Sequence, residues 1–263
     1  MKRIEMIGAS GVGKTTLMRE VMKLKTENDQ WLSLEEMKIK LAKAVDVRDV
    51  KYLKHLQLLL KMNLFRQHRS GIAVLILNRY NREIVDRLHL RYEDIAGEIW
   101  RDLSENVEIR PMQKLALASF YQKVLTRDIM PLDYLGAKEL TVYDDGIIHN
   151  LPVFGDPDRA GVIFEYHKKQ NTGLIPVGVV HCFASLEVNL KRRKKKMFLT
   201  GGTILDRFSN EDELRRFSQQ SLDFASKKIS LLEKHKVTIL GVNMEESLSS
   251  NAKRTIDFLR SLQ

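Results

Sequence analysis

The 263-residue chain carries 44 Lys+Arg against 34 Asp+Glu, a formal charge of +10, with 43% hydrophobic and 30% charged residues. That balance suits a soluble domain with a sizeable core and favours anionic partners such as nucleotides, phosphorylated metabolites, nucleic acid or acidic membranes. No run approaches the roughly 18–20 apolar residues that span a bilayer, and the opening residues are expected to form a strand and loop rather than a secretory leader. The single cysteine, Cys182, excludes an intrachain disulfide and a cysteine-built zinc site, so a reducing, cytoplasmic setting is expected.

Residues 2–7 read as a short apolar strand and residues 16–25 as a helix. Between them stand Gly8, Ala9, Ser10, Gly11, Val12, Gly13, Lys14 and Thr15, the spacing of a phosphate-binding loop in the strand–loop–helix context that motif requires. Glycines let the backbone wrap closely around phosphate, so that amide N–H groups point at its oxygens. Lys14 would neutralise β- and γ-phosphates, Thr15 would set its hydroxyl on Mg²⁺, and Thr16 follows in the first helical turn. Binding of a nucleoside triphosphate is the expectation.

Residues 26–136 show long helix-period segments, at 34–42, at 50–62, and at 111–125 with Pro111 in the first turn. Residues 72–77 suit a buried strand or a buried helix equally. The region is too long for a loop and reads as a helical insertion. Trp31, Trp100, Tyr80, Tyr121 and Tyr134 are expected to pack in the core or the insertion. Lys51, Lys54, Lys61, Arg66 and Arg69 suit a solvated face, with Arg66, Arg69, Arg79 or Arg101 as alternative grips on an anionic acceptor.

Three later segments, 139–143, 177–183 and 236–241, are short apolar runs typical of buried parallel strands. Helical patterns at 187–196, 210–234 and 250–262 alternate with them, which implies an α/β fold whose parallel sheet is covered on both faces. The first of these strands runs into Asp144, Asp145 and Gly146. A carboxylate at the carboxyl end of a strand beside a phosphate loop can hold Mg²⁺ or accept a hydroxyl proton. Asp144 is the first choice and Asp145 the second, because adjacent strand residues face opposite ways unless the strand ends there. Lys191 to Lys196 are six consecutive cations, followed by a Gly201–Gly202 hinge and by Asp206, Arg207, Arg215 and Arg216, a pattern that suits a mobile cationic flap or a charged surface. The lone His149 and His181 read as structural, His149 being the nearer to the acidic turn.

The loop at 8–15, the strand-terminal Asp144 and the strand leading into Glu187 and Arg192 resemble the nucleoside- and nucleotide-kinase branch of P-loop proteins. The resemblance covers residues 1–25 and 139–263. It implies a three-layer P-loop fold with a mostly parallel central sheet, a nucleotide-binding core at 1–25 and 137–263, an Arg/Lys-rich lid at about 191–216, and an acceptor-binding insertion at 26–136. It sets Arg192 against an adenine base and Asn243 in the adenine pocket. Lys195, Lys196 and Arg207 become lid cations, although the family has arginine where Lys195 and Lys196 stand. The activity implied is transfer of the ATP γ-phosphate, with Mg²⁺ on Thr15 and Asp144, to a hydroxyl or phosphate of a nucleoside, nucleotide or sugar-like metabolite. Lys14, Asp144, Asp145, Arg192 and Arg207 would carry the chemistry.

Two rival readings stand beside it. A P-loop ATPase or GTPase switch is one, although the chain has no Asn-Lys-x-Asp guanine motif and no transporter signature. A nucleic-acid-binding protein or 5′-end kinase using residues 191–196 is the other, and it is the less favoured.

Overall fold

The computed structural model describes residues 2–46, 51–62, 68–105, 110–200 and 210–263. Strand β1 (Lys2–Ile7) is buried from Arg3 onward and lies at the centre of the sheet. Around it run β2 (Leu32–Ser33), β3 (Leu140–Tyr143), β4 (Gly178–Phe183) and β5 (Thr238–Asn243), in the order β2-β3-β1-β4-β5, every pair parallel. The chain first builds the β2–β3 side and later the β4–β5 side. The carboxyl end of β1 is therefore where strand order reverses, the position at which open α/β sheets take their ligands.

Side-chain alternation splits the core into two layers. Ile4 and Met6 of β1, with Val142, Val180 and Val242, face α1 (Lys14–Leu24) and α12 (Leu248–Ser261). Ile7, Tyr143 and Val179 face the opposite way, into a larger cluster that includes Met37 and Leu41 of α2 (Leu34–Ala44). That cluster continues through Leu53 and Leu60 of α3 (Lys51–Lys61), Ile76 of α4 (Arg69–Leu88) and Ile95 of α5 (Glu93–Glu105). It also holds Tyr121 of α6 (Pro111–Lys123) and Leu132 of α7 (Met130–Tyr134). The expected α/β class with helices on both faces is met, and the sheet is parallel throughout its described strands.

Local chemistry explains several boundaries. Ser33 and Glu36 close a reciprocal capping box at the start of α2, with Ser33 N donating to Glu36 Oε2 at 2.8 Å. In α9 (Pro157–Lys169), Asp156 accepts from the amides of Asp158 and Arg159 at 3.1 and 3.3 Å, and Pro157 occupies the first turn. Asp156 and Pro157 together are a helix start signal readable in the sequence. Helix α10 spans Leu186–Thr200, and α11 (Glu211–Lys234) starts at an Asn210 cap that accepts from Glu213 N at 2.8 Å.

The ambiguous residues 72–77 belong to α4: Ala73, Ile76 and Leu77 are buried while Leu75 is exposed, a helical rather than alternating pattern. Residues 32–33, inside the range read as all-helical, add an edge strand beside β3. A two-residue strand has no periodicity to detect. A π-helical turn, Val124–Ile129, joins α6 to α7, and its widened backbone sets Asp128 inward to receive Lys38 of α2. Trp31 is fully buried, as expected. Trp100 is not; it is 66% exposed on α5, because α5 has already turned Ile95, Ile99 and Leu103 inward. No described helix is long and apolar enough to cross a membrane.

Leu259 on α12 is fully buried, so Leu259→Ala should cost about 2–5 kcal/mol in urea unfolding. Trp100→Ala should stay within about 0.5 kcal/mol of wild type.

Candidate functional site

Ile7 ends β1, and the chain then turns tightly over the carboxyl end of the sheet. A side chain at Gly8 would run into the backbone carbonyl of Cys182 at the end of β4. Gly11 and Gly13 hold φ of +81° and +118°, the left-handed region that only glycine enters freely. Val12 and Ala9 are buried beneath the loop, with Val12 N donating to Ala9 O at 3.2 Å. Gly13 caps α1 with no side chain occupying the helix's first amides and no acid in its first turn. The positive end of the helix dipole is thus left open to an anion. Thr15 and Thr16 are exposed there. Lys14 Nζ reaches back over the loop to Gly8 O at 3.1 Å. Desolvation pulls its pKa down, while Asp145, Cys182 and Asp144 push it back up.

The loop is held from behind by α10 and α11. Asn189 Nδ2 donates to Ser10 O at 2.9 Å, and Ser10 N donates to Ser221 Oγ at 3.4 Å. Arg192 divides its guanidinium between Val12 O and Met244 O, both at 2.7 Å. Arg192, expected against an adenine base, stands beside the loop with its guanidinium engaged on backbone carbonyls, and so buttresses the loop. Arg193 is buried against the Phe217 ring, 4.4 Å from its centroid, with its backbone next to Gly11. Lys194 pairs with Glu211 at 2.6 Å. Arg192 and Arg193 are thus built into the fold, and the Lys194 pair lies at the surface. Lys191, Lys195 and Lys196 are exposed, and the charge of Lys196 is felt at both Lys14 and Asp145. Asn243 accepts Asn251 Nδ2 on its carbonyl at 2.7 Å and Glu245 N on its Oδ1 at 3.1 Å, so it shapes the turn after β5. Arg66, Asp206 and Arg207 lie outside the described residues.

The acidic turn comes from β3, which pairs directly with β1, Tyr143 opposite Glu5. The strand does end at Tyr143, so Asp144 and Asp145 leave a turn rather than opposite faces of a strand. Asp144 is half-buried and has no hydrogen-bond partner among the described residues. Asp145 accepts Asn150 Nδ2 on Oδ1 at 3.0 Å, and His149 Nε2 lies 3.4 Å from the same oxygen. Desolvation raises the pKa of Asp145, and the Lys14 charge opposes that. His149 and Asn150 belong to the one-turn helix α8 (Ile147–Asn150).

Beneath this turn lies a group of charges that sequence reading missed. Glu5 and Arg3, both fully buried on one face of β1, pair at 2.9 Å, and Glu5 also accepts the His149 amide. Lys228 of α11, nearly as buried, donates to the His149 carbonyl at 2.6 Å. Burial brings the Lys228 pKa down to about 7 and raises that of Glu5, and it keeps His149 well below its ordinary value and hence neutral. The available signal was the Arg3/Glu5 spacing of two within a buried strand, which puts both on one face.

No described residues form a cage of three or more metal-binding side chains. Thr15 and Asp144 offer one hydroxyl and one carboxylate, hard oxygen donors that suit a cation completing its shell with phosphate and water, as Mg²⁺ does. No protein-family model matches the chain, and no curated protein matches it in sequence.

Gly8→Ala should destabilise by about 1–3 kcal/mol because the added methyl has nowhere to go. Gly71→Ala in α4 meets open space and should be neutral or stabilising by up to about 1 kcal/mol. Urea unfolding of the two variants separates a packing constraint from a general intolerance of glycine replacement.

Proposed function

We propose that the chain is an ATP-dependent phosphotransferase of the P-loop kinase type, acting on a small molecule. One observation carries the reading: a glycine-shaped loop with an inward-reaching lysine and a carboxylate turn leave adjacent parallel strands at the same end of the sheet. Phosphoryl transfer asks mainly for positioning and charge neutralisation. The amides of residues 8–15 and Lys14 would hold the phosphates, and Lys196 with the lid segment would add positive charge from α10. A bound Mg²⁺, held by Thr15 and Asp144, would neutralise charge at the transferring phosphate. The acidic turn would take the acceptor's proton. The helices between 34 and 134 share the core cluster under this end of the sheet and would frame the acceptor. A cytoplasmic location accords with this substrate.

The engagement of Arg192 and Arg193 within the fold supports a small-molecule acceptor over a nucleic-acid strand, since these two cations are held against the loop and the Phe217 ring. Oligonucleotide binding that weakens steeply with salt would reverse that preference.

Lys14→Ala should abolish Mg·ATP binding by titration calorimetry and lower turnover by about 100-fold or more; retention of both overturns the proposal. A screen of nucleosides, nucleotides and phosphorylatable metabolites with ATP labelled in its γ-phosphate should move label to one class of acceptor. Label appearing only as inorganic phosphate would make the protein an ATPase instead.

A further inference from the structure

We infer that Asp145, rather than Asp144, is the carboxylate that takes the acceptor's proton, and that Asn150 and His149 are the positioning residues that aim it. This rests on the phosphotransferase reading and assigns within it a division of labour between two adjacent acids.

The two carboxylates are held very differently. Asn150 Nδ2 and His149 Nε2 both approach Oδ1 of Asp145, at 3.0 and 3.4 Å, and Oδ2 has no partner among the described residues. An aspartate just before a helix ordinarily turns back to cap its first amides. Here Gly146 is the cap residue and no side chain caps α8. Asp145 instead meets side chains from the far end of that helix, which leaves one oxygen oriented and free. Asp144, without such a brace, is the acid left for Mg²⁺ and its waters.

The brace is itself anchored. A four-residue helix is not stable alone, because nucleation fixes several dihedrals for one hydrogen bond. In this protein both backbone groups of His149 are taken by buried charges, the N–H by Glu5 and the C=O by Lys228 at 2.6 Å. Asn150 Nδ2 also reaches Gly146 O at 2.6 Å, closing the turn on itself. Ile147 and Ile148 are buried, and a side chain at Gly146 would strike Glu5. Burying two ionisable side chains to hold one peptide unit is a costly arrangement. It holds the turn at both backbone groups of His149. The His149 ring stands 3.4 Å from the same carboxylate oxygen that Asn150 holds, and contacts of that length commonly tighten once substrate binds.

In the step assigned, the acceptor hydroxyl gives its proton to Oδ2 of Asp145 as its oxygen bonds to the γ-phosphorus. The bond from that phosphorus to the β–γ bridging oxygen breaks, and ADP leaves with the electron pair.

The test measures ADP formation by the full chain from Mg·ATP in the presence of the metabolite pool described above, with ATP affinity and thermal melting followed in parallel. Asp145→Asn should lower kcat by about 100-fold or more with ATP affinity within twofold, whereas Asp144→Asn should chiefly raise the Mg²⁺ concentration required. Asn150→Ala and His149→Leu should each lower kcat by about 10- to 100-fold with the KM for ATP unchanged. His149→Gln, which returns an Nε2 donor, should recover most of the loss. Asp145→Asn retaining half of the wild-type kcat overturns the inference, as does His149→Gln proving no better than His149→Leu when both melt like wild type. Those results leave the phosphotransferase reading intact. A wild-type chain that neither binds Mg·ATP nor forms ADP removes that reading, and this inference with it.

Discussion

Glu5 is the point on which the structure turns. It sits on the central strand, fully buried, and its carboxylate meets Arg3, the His149 amide and the packed face of Gly146. An unpaired carboxylate in such a place would cost several kcal/mol, about 3–5 if one partner of a buried pair is removed. Its neighbours must therefore be where they are. Arg3 balances it from the same strand face, with its guanidinium also satisfying Leu174 O. Lys228 brings a second cation from α11 to the same turn. A single buried acid thus ties the sheet, the acidic turn and the longest described helix into one unit.

Helix α11 extends that unit to the glycine loop at residues 8–15. Ser221 and Lys228 lie two turns apart on one face, and they reach the Ser10 amide and the His149 carbonyl respectively. Helix α10 adds Asn189 and Arg192 on the loop's outer side. The loop and the acidic turn are consequently fixed relative to each other by elements on either side of the 201–209 segment. The proposed phosphoryl transfer would draw on such pre-set geometry, since that chemistry depends on aligned groups more than on covalent catalysis. The cationic run does two jobs through its spacing: 192 and 193 turn inward and brace the loop, while 191, 195 and 196 remain exposed.

The helices from 34 to 134 share their core with one face of the sheet instead of closing on themselves. Tyr143, next to the acidic turn, donates to the Asp128 carbonyl at 2.9 Å, and Asp128 receives Lys38. The π-helical turn that carries Asp128 is therefore linked by two contacts to the end of β3.

Much of this was legible in the residues alone. The glycines among residues 8–15 mark a tight loop between strand and helix, because left-handed backbone and close approach admit only glycine. Short β-branched runs alternating with helix-period segments define a parallel α/β sheet, since both faces of such strands must be covered. The carboxylate at a strand end was equally readable. Tertiary structure decided the rest. Which acid is braced depends on a one-turn helix whose shape comes from Glu5 and Lys228, 223 positions apart in the chain. Whether Arg192 faces a ligand or the loop depends on carbonyls at Val12 and Met244 that no local pattern announces. Trp100 and the two-residue β2 follow from what the neighbouring elements already bury or leave unpaired. Local pattern reports which conformations a segment can adopt. The partners of a buried charge are set only when distant segments meet.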